Sequence, residues 1–137
     1  MKNRHGFTLM EILVVIGIIG LLAVFLVPNL LGAKDRAKET AVKAVMHSVQ
    51  LAIESYEMEN LTYPLDNNVP LQSLCNNYLM AGGYVVTIPK NPFTGAQYSD
   101  SDSAGKIIYN YNDATGEYTL TGYSRDGSKI VQELTNL

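Results

Sequence analysis

The chain has 137 residues and a formal net charge of −3. That length suits one domain, and the mild acidity argues against a surface built for nucleic-acid phosphates. A single cysteine, Cys75, excludes an intrachain disulfide. Its setting in "PLQSLCNNYL", with Leu71, Leu74, Tyr78 and Leu79 at helical spacing, marks a small buried hydrophobe rather than a reactive thiol.

The first element is the apolar run in "HGFTLMEILVVIGIIGLLAVFLVPNLL", residues 5–31. From Ile12 to Val27 no side chain is polar, and with Phe7, Leu9 and Met10 the run reaches the roughly 20 residues that span a bilayer. Basic residues flank it, Lys2 and Arg4 before and Lys34, Arg36 and Lys38 after. It is too long for a secretory signal and ends in "VPNLLGAKDRAKE", without a small-residue cleavage site. Gly17 and Gly20 permit close helix approach in lipid. Pro28 has no amide hydrogen and is expected to kink or open the helix. Glu11 is the anomaly, because an ionisable side chain in such a segment is costly and marks function. No Lys, Arg or His lies within the run to pair with it, so its partner is a terminal amine, another chain or a bound proton.

A basic leader "MKNRHG" ending in Gly6, then Phe7, Thr8, Leu9, Met10 and Glu11, the apolar run and Pro28 resembles the class III signal and N-terminal helix of type IV pilins and of type II secretion pseudopilins. The resemblance implies that a prepilin peptidase cleaves after Gly6 and methylates the new amine of Phe7. It further implies that Glu11 pairs with the terminal amine of a neighbouring subunit during assembly, which supplies the missing partner.

Residues 33–60 form the next element. Ala37, Ala41, Ala44, Val45, Ser48, Val49, Ala52, Ile53 and Tyr56 recur at spacings of three and four, predicting an amphipathic helix with those residues on its apolar face. Asn60 is a suitable terminator and Pro64 prevents continuation. Joined to the apolar run, the helix extends from about residue 7 to 59, roughly 80 Å. His47 has no second ligand at metal spacing and reads as solvated or partly packed.

Residues 61–95 read as a connecting loop with a short helix near 70–80. Its end, Pro89 to Gly95, resembles the "P-x-D-P-W-G" stretch of major pseudopilins, with Asn91 and Phe93 in place of the acid and tryptophan. "KIIYNY", "EYTLTGY" and "SKIVQEL", separated by "NDATG" and Asp126-Gly127, predict a three-stranded meander. Ile107, Tyr109 and Tyr111 share one face of the first strand, and Tyr118 and Leu120 one face of the second. Asp100 and Asp102 in "DSDSAG" lack the further ligands of a calcium loop. "GYSRDG" resembles the calcium loop of major pseudopilins, which makes Ser124 and Asp126 weak calcium candidates, but the later paired aspartates are absent.

The expected fold is α+β, a long N-terminal helix packed against a small C-terminal antiparallel β-meander, as in pilins. The expected parts are a leader at 1–6, a transmembrane and filament-core half-helix at 7–32, an amphipathic half at 33–60 and a head at 61–137. No Ser/His/Asp set, P-loop or metal cluster is present, so an enzyme is not expected. The expected function is a structural subunit of a type II secretion pseudopilus. The major pilin of a type IV pilus is the alternative, and a membrane-anchored binding module that never polymerises is a more remote one. The resemblance implies as partners further copies of the chain, a prepilin peptidase, an inner-membrane assembly platform with minor pilins or pseudopilins, and the lipid bilayer before assembly. It implies a single-pass inner-membrane protein, with its head in the periplasm or outside the cell, that then enters a filament. No cofactor is expected beyond the calcium option.

Overall fold

The computed structural model describes residues 7–136, without the side chains of positions 28 and 29. Helix α1 spans Leu9–Asn60, and its helical backbone continues through position 28, so Pro28 does not end it. The chain divides into two compact units, the first ending at Asp35 and the second covering Arg36–Leu137. In the first unit the apolar side chains from Leu9 to Val27 are all exposed. A helix apolar on every side has nothing to bury against within its own unit, and this one is long and apolar enough to cross a membrane.

The second unit is a layered α+β head. Its elements after α1 are β1 (Val69–Pro70), α2 (Leu71–Leu74), a single turn with i→i+5 bonding (Cys75–Leu79), β2 (Ile107–Asn112), β3 (Glu117–Tyr123) and β4 (Ile130–Thr135). The sheet order is β1-β2-β3-β4, antiparallel throughout. The three long strands are the expected meander. The fourth, β1, is an addition: two residues, one of them proline, carry no alternation by which to recognise a strand. It is held by pairing Val69 with Tyr109 and Pro70 with Ile108.

α1 ends as the composition predicts, at Asn60, but through an unexpected residue. Leu61 adopts φ 59°, and its amide donates to the Glu57 carbonyl at 2.7 Å, the left-handed cap usually given to glycine. The Asn60 side chain donates back to the Tyr56 carbonyl at 2.9 Å.

The face of α1 that packs on the sheet is rotated from the one expected. Val42, Met46, Val49, Ala52 and Ile53 are buried, together with the polar Gln50, whereas Ala37, Ala41, Ala44 and Ser48 are exposed. Both stripes repeat at three and four residues, so spacing alone does not choose between them. Side-chain size does, because Val42 and Met46 bury far more apolar area than alanine or serine. Opposite them lie Leu71, Leu74, Cys75 and Leu79 from the α2 segment, and Ile107, Tyr109, Tyr118 and Leu120 from the sheet. The Cys75 thiol is buried, and burial pushes its pKa up to about 11, so it is the inert hydrophobe its setting implied.

Several contacts tie α1 to the rest of the head. At Gly122 the helix comes so close that a Cβ would sit 2.3 Å from Met46 Sδ. Gln50 Nε2 donates to the Thr135 carbonyl at 2.7 Å, securing the end of β4. Glu54 accepts from two phenols, Tyr118 at 2.7 Å and Tyr63 at 2.9 Å. Those rings meet edge to face, with centroids 4.8 Å apart, and Tyr109 stacks on Tyr118.

Gly122→Ala is expected to destabilise the head by about 1–3 kcal/mol through overpacking against Met46. Glu54→Gln, which removes the charged acceptor of two phenols, should cost a similar ~1–3 kcal/mol. Urea unfolding of the full chain in detergent, followed by tyrosine fluorescence, measures both, and midpoints equal to wild type would refute the packing described. Burial first, and then the hydrogen bond to Glu54, push Tyr63 up to about 12, and burial also raises Tyr109 and Tyr118. The folded state therefore keeps protons that the unfolded chain loses above the ordinary value of 10.0. Stability is full below that pH and falls as pH rises toward about 12. Tyr63→Phe should flatten that alkaline loss in pH-dependent thermal melts, and an unchanged slope would contradict the assignment.

Candidate assembly site

The singular feature of the first unit is its start. Leu9–Asn60 begins just after Thr8, and Glu11 stands in its first turn. Thr8 and Glu11 bond reciprocally. The Thr8 amide donates to Glu11 Oε2 at 2.8 Å, and the Thr8 hydroxyl donates to the same oxygen at 2.9 Å. The Glu11 amide donates to Thr8 Oγ1 at 3.3 Å. This is a capping box: T-x-x-E satisfies amides that the first turn of a helix otherwise leaves without acceptors. It also answers how one carboxylate resides in an apolar segment, since two donors of its own chain meet it.

Phe7 and Glu11 line one shallow groove of about 420 Å³ with Thr8, Met10, Val14 and Val15, and its surface is mostly apolar. Phe7 is 79% exposed, so the residue whose amine the leader cleavage would free stands beside the carboxylate without packing on its own chain. Gly6 lies outside the described residues, as does the side chain of Pro28. Thr8 is the site residue that the motif reading passed over. The signal was present, because a threonine three residues before a glutamate and an apolar run is itself a helix-start pattern.

The calcium candidates fall in the head. Ser124 Oγ donates to Asp126 Oδ1, and the Ser128 amide donates to that oxygen at 3.1 Å. These bonds hold the Asp126 carboxyl well below the usual carboxylate range. Gly127, at φ 70°, lets the turn close with its amide on the Ser124 carbonyl. Asp126 is thus the clamp of a tight turn, and two residues fall short of the roughly six to eight oxygens that calcium takes. Asp100 and Asp102 also act as clamps. Asp100 accepts from the Ser73 amide and hydroxyl, and Asp102 from Asn91 Nδ2 and the Ser99 amide. Among the described residues no three His, Cys, Asp or Glu side chains gather as a metal group. His47 is exposed, with Gln132 Nε2 at 3.3 Å from its Nε2.

The chain is similar to proteins already known. The family described as Prokaryotic N-terminal methylation motif matches residues 1–27. The chain is 34% identical over 115 residues to Type II secretion system core protein G of Vibrio cholerae, covering 78% of each chain. It is 36% identical over 107 residues to the protein of the same name from Klebsiella pneumoniae, covering 72% of this chain and 74% of that one. A Type IV wide pilus major component, PilA4 of Thermus thermophilus, is 45% identical over 74 residues, 54% of this chain and 56% of its own. No solved structure matches the chain significantly. With a methylation motif at its start and similarity extending over most of its length, the chain belongs to the core protein G family of type II secretion systems, the major pseudopilins within the wider type IV pilin group.

Proposed function

We propose that the chain is a structural subunit, not an enzyme, that polymerises through its N-terminal helix into the pseudopilus of a type II secretion system. The observation that carries this reading is a fully exposed apolar helix whose one acidic side chain within the run, Glu11, stands at its start beside Phe7. In a bilayer lipid covers that surface, and in a filament the helices of other copies do. The subunit is anchored in the inner membrane, with its head on the far side, until it enters the filament. The prepilin peptidase removes residues 1–6 and methylates Phe7. Glu11 then trades its bonds to Thr8 for the charged amine of a neighbouring copy. The charged amine is a stronger donor to the carboxylate than the uncharged Thr8 groups, and most so away from water, which favours exchange inside the filament over exchange in solution. Pro28 lets the helix loosen as it leaves the lipid. The inner-membrane assembly platform and minor pseudopilins act on the same helix. The kinship with a Thermus wide-pilus component supports a common N-terminal design more than a surface pilus, since it reaches only about half the chain.

Glu11→Ala is expected to leave the head folded and to reduce filament number at least about tenfold, the scale of one lost buried charge pair, counted by electron microscopy of sheared cells. Filaments of normal number and length would sink the proposed role of Glu11. Intact-mass analysis of assembled filaments should give a chain that starts at Phe7 and carries one extra methyl group, and retention of residues 1–6 would count against the processing step. Because the Ser124–Asp126 turn closes through its own bonds, removing divalent cations with EDTA should leave filament yield unchanged. Dissolution on chelation would show that a metal belongs in that loop.

A further inference from the structure

We propose that, before the subunit assembles, the head stands on its own membrane, with a basic base resting on the headgroups of anionic phospholipids. The inference rests on the membrane-anchored reading above and adds to it a ligand, a surface and an orientation.

The base is the end of the head at which α1 enters it. Lys38 Nζ donates to the Phe93 carbonyl at 3.2 Å and lies 5.6 Å from the centre of the Phe93 ring. That ring lies against Gly105, so closely that a Cβ there would collide with it. The Gly105 amide donates to the Ser124 carbonyl at 3.0 Å, and the Ser124 amide to the Lys129 carbonyl at 2.9 Å. One run of contacts thus joins the start of the head helix, the loop over 89–97 and the β3–β4 turn.

Each of these segments brings a cation, Arg36, Lys90 and Lys129. All three are exposed, and among the described residues none of them has a carboxylate as an ion-pair partner. Glu39, Asp102 and Asp126 stand in the same segments or beside them. Asp102 is already met by Asn91 and the Ser99 amide, and Asp126 by Ser124 and the Ser128 amide. The base therefore offers cations whose partners must come from outside the chain.

Two features select the ligand. The first is covalent. Five residues separate Arg36 from Leu31, the last of the apolar run, and five residues of chain reach at most about 18 Å. The base cannot leave the surface of a bilayer that the apolar run crosses, and lipid phosphates are the charges it meets there. The second is the charge of the head as a whole. From Arg36 onward it carries seven cations against eleven carboxylates. An anionic surface repels such a body on average and accepts it only base first. A soluble anion has no tether to overcome that repulsion, so the headgroup is the occupant. Each cation at an anionic surface favours the docked state about fivefold, and three together on the order of a hundredfold at moderate salt. Entry into the filament then requires the base to give these headgroups up.

The test places the full chain, one copy per disc, in lipid nanodiscs of phosphatidylcholine with or without about one-third phosphatidylglycerol. A dye on Ala96→Cys reports the base and a dye on Thr115→Cys, in the β2–β3 turn, the opposite end, since both positions are exposed and native Cys75 is buried. Energy transfer to an acceptor on the headgroups should rise at least about twofold at Ala96→Cys when phosphatidylglycerol is present, and not at Thr115→Cys. The rise should vanish in Arg36→Gln with Lys90→Gln and Lys129→Gln, and persist in Arg36→Lys with Lys90→Arg and Lys129→Arg. It should also vanish in about 1 M salt, where the screening length falls to about 3 Å. Equal transfer in the two kinds of disc would overturn the proposal without any variant. So would a rise that survives neutralisation, or one of the same size at Thr115→Cys. A chain that enters neither disc rejects the membrane-anchored reading itself.

Discussion

The head depends on one face of one helix. Val42, Met46, Val49 and Ile53 supply the surface on which β2 and β3 lay Ile107, Tyr109, Tyr118 and Leu120, and beside which the α2 segment closes. A head of about a hundred residues builds one core, and this face is its helical wall. Gly122 shows how tight the constraint is, because any side chain there would displace Met46. Glu54 shows how the polar side of the same packing is resolved. A carboxylate at the margin of the core is kept by two phenols, while Tyr109 OH finds the Pro64 carbonyl and Tyr98 OH the Gly105 carbonyl. Among the described residues no buried side-chain polar atom is left without a partner.

The other half of α1 obeys the opposite rule. Its apolar side chains from Leu9 to Val27 are exposed, and the Thr8–Glu11 cap meets the carboxylate at its start. Folding and assembly are thus divided along a single helix. The head's stability is settled within the chain, and the apolar half is stabilised by whatever surrounds it. A substitution in the first unit can alter assembly without touching the head's core, and one at Met46 or Gly122 does the reverse.

Much of this was legible in the residues. The apolar run, the end of the long helix at Asn60, the hairpin with Tyr118 and Leu120 inward and the buried Cys75 all follow from period, turn chemistry and length. The family resemblance lay in a few adjacent positions around Gly6 and Glu11. What was not legible had physical reasons. Two stripes of equal period run along α1, and only the size of the side chains selects Val42 and Met46 over Ala41 and Ala44. β1 is too short to show alternation. Leu61 takes a left-handed conformation that its type does not announce. The acids at 100 and 102 read as a loop without further ligands, and what the sequence does not show is that partners such as Ser73 and Asn91 reach them from far along the chain. Thr8 carries no charge, so only its place three residues before Glu11 marks it as the start of the helix.

The short strand β1 has a wider consequence. Heads carried on apolar helices of this kind share one membrane surface, where they meet in similar orientations. An open sheet edge under those conditions is a template for pairing with the next sheet. Along β2 that edge is closed. Pro70 offers no amide, Asn68 N donates to Asn110 Oδ1 at 2.8 Å, and Tyr111 N is taken by the Asp66 carbonyl and by Asn67 Oδ1. A strand of two residues adds almost nothing to the core. Its value lies in the contacts it denies along β2, which leaves β4 as the long edge of the sheet.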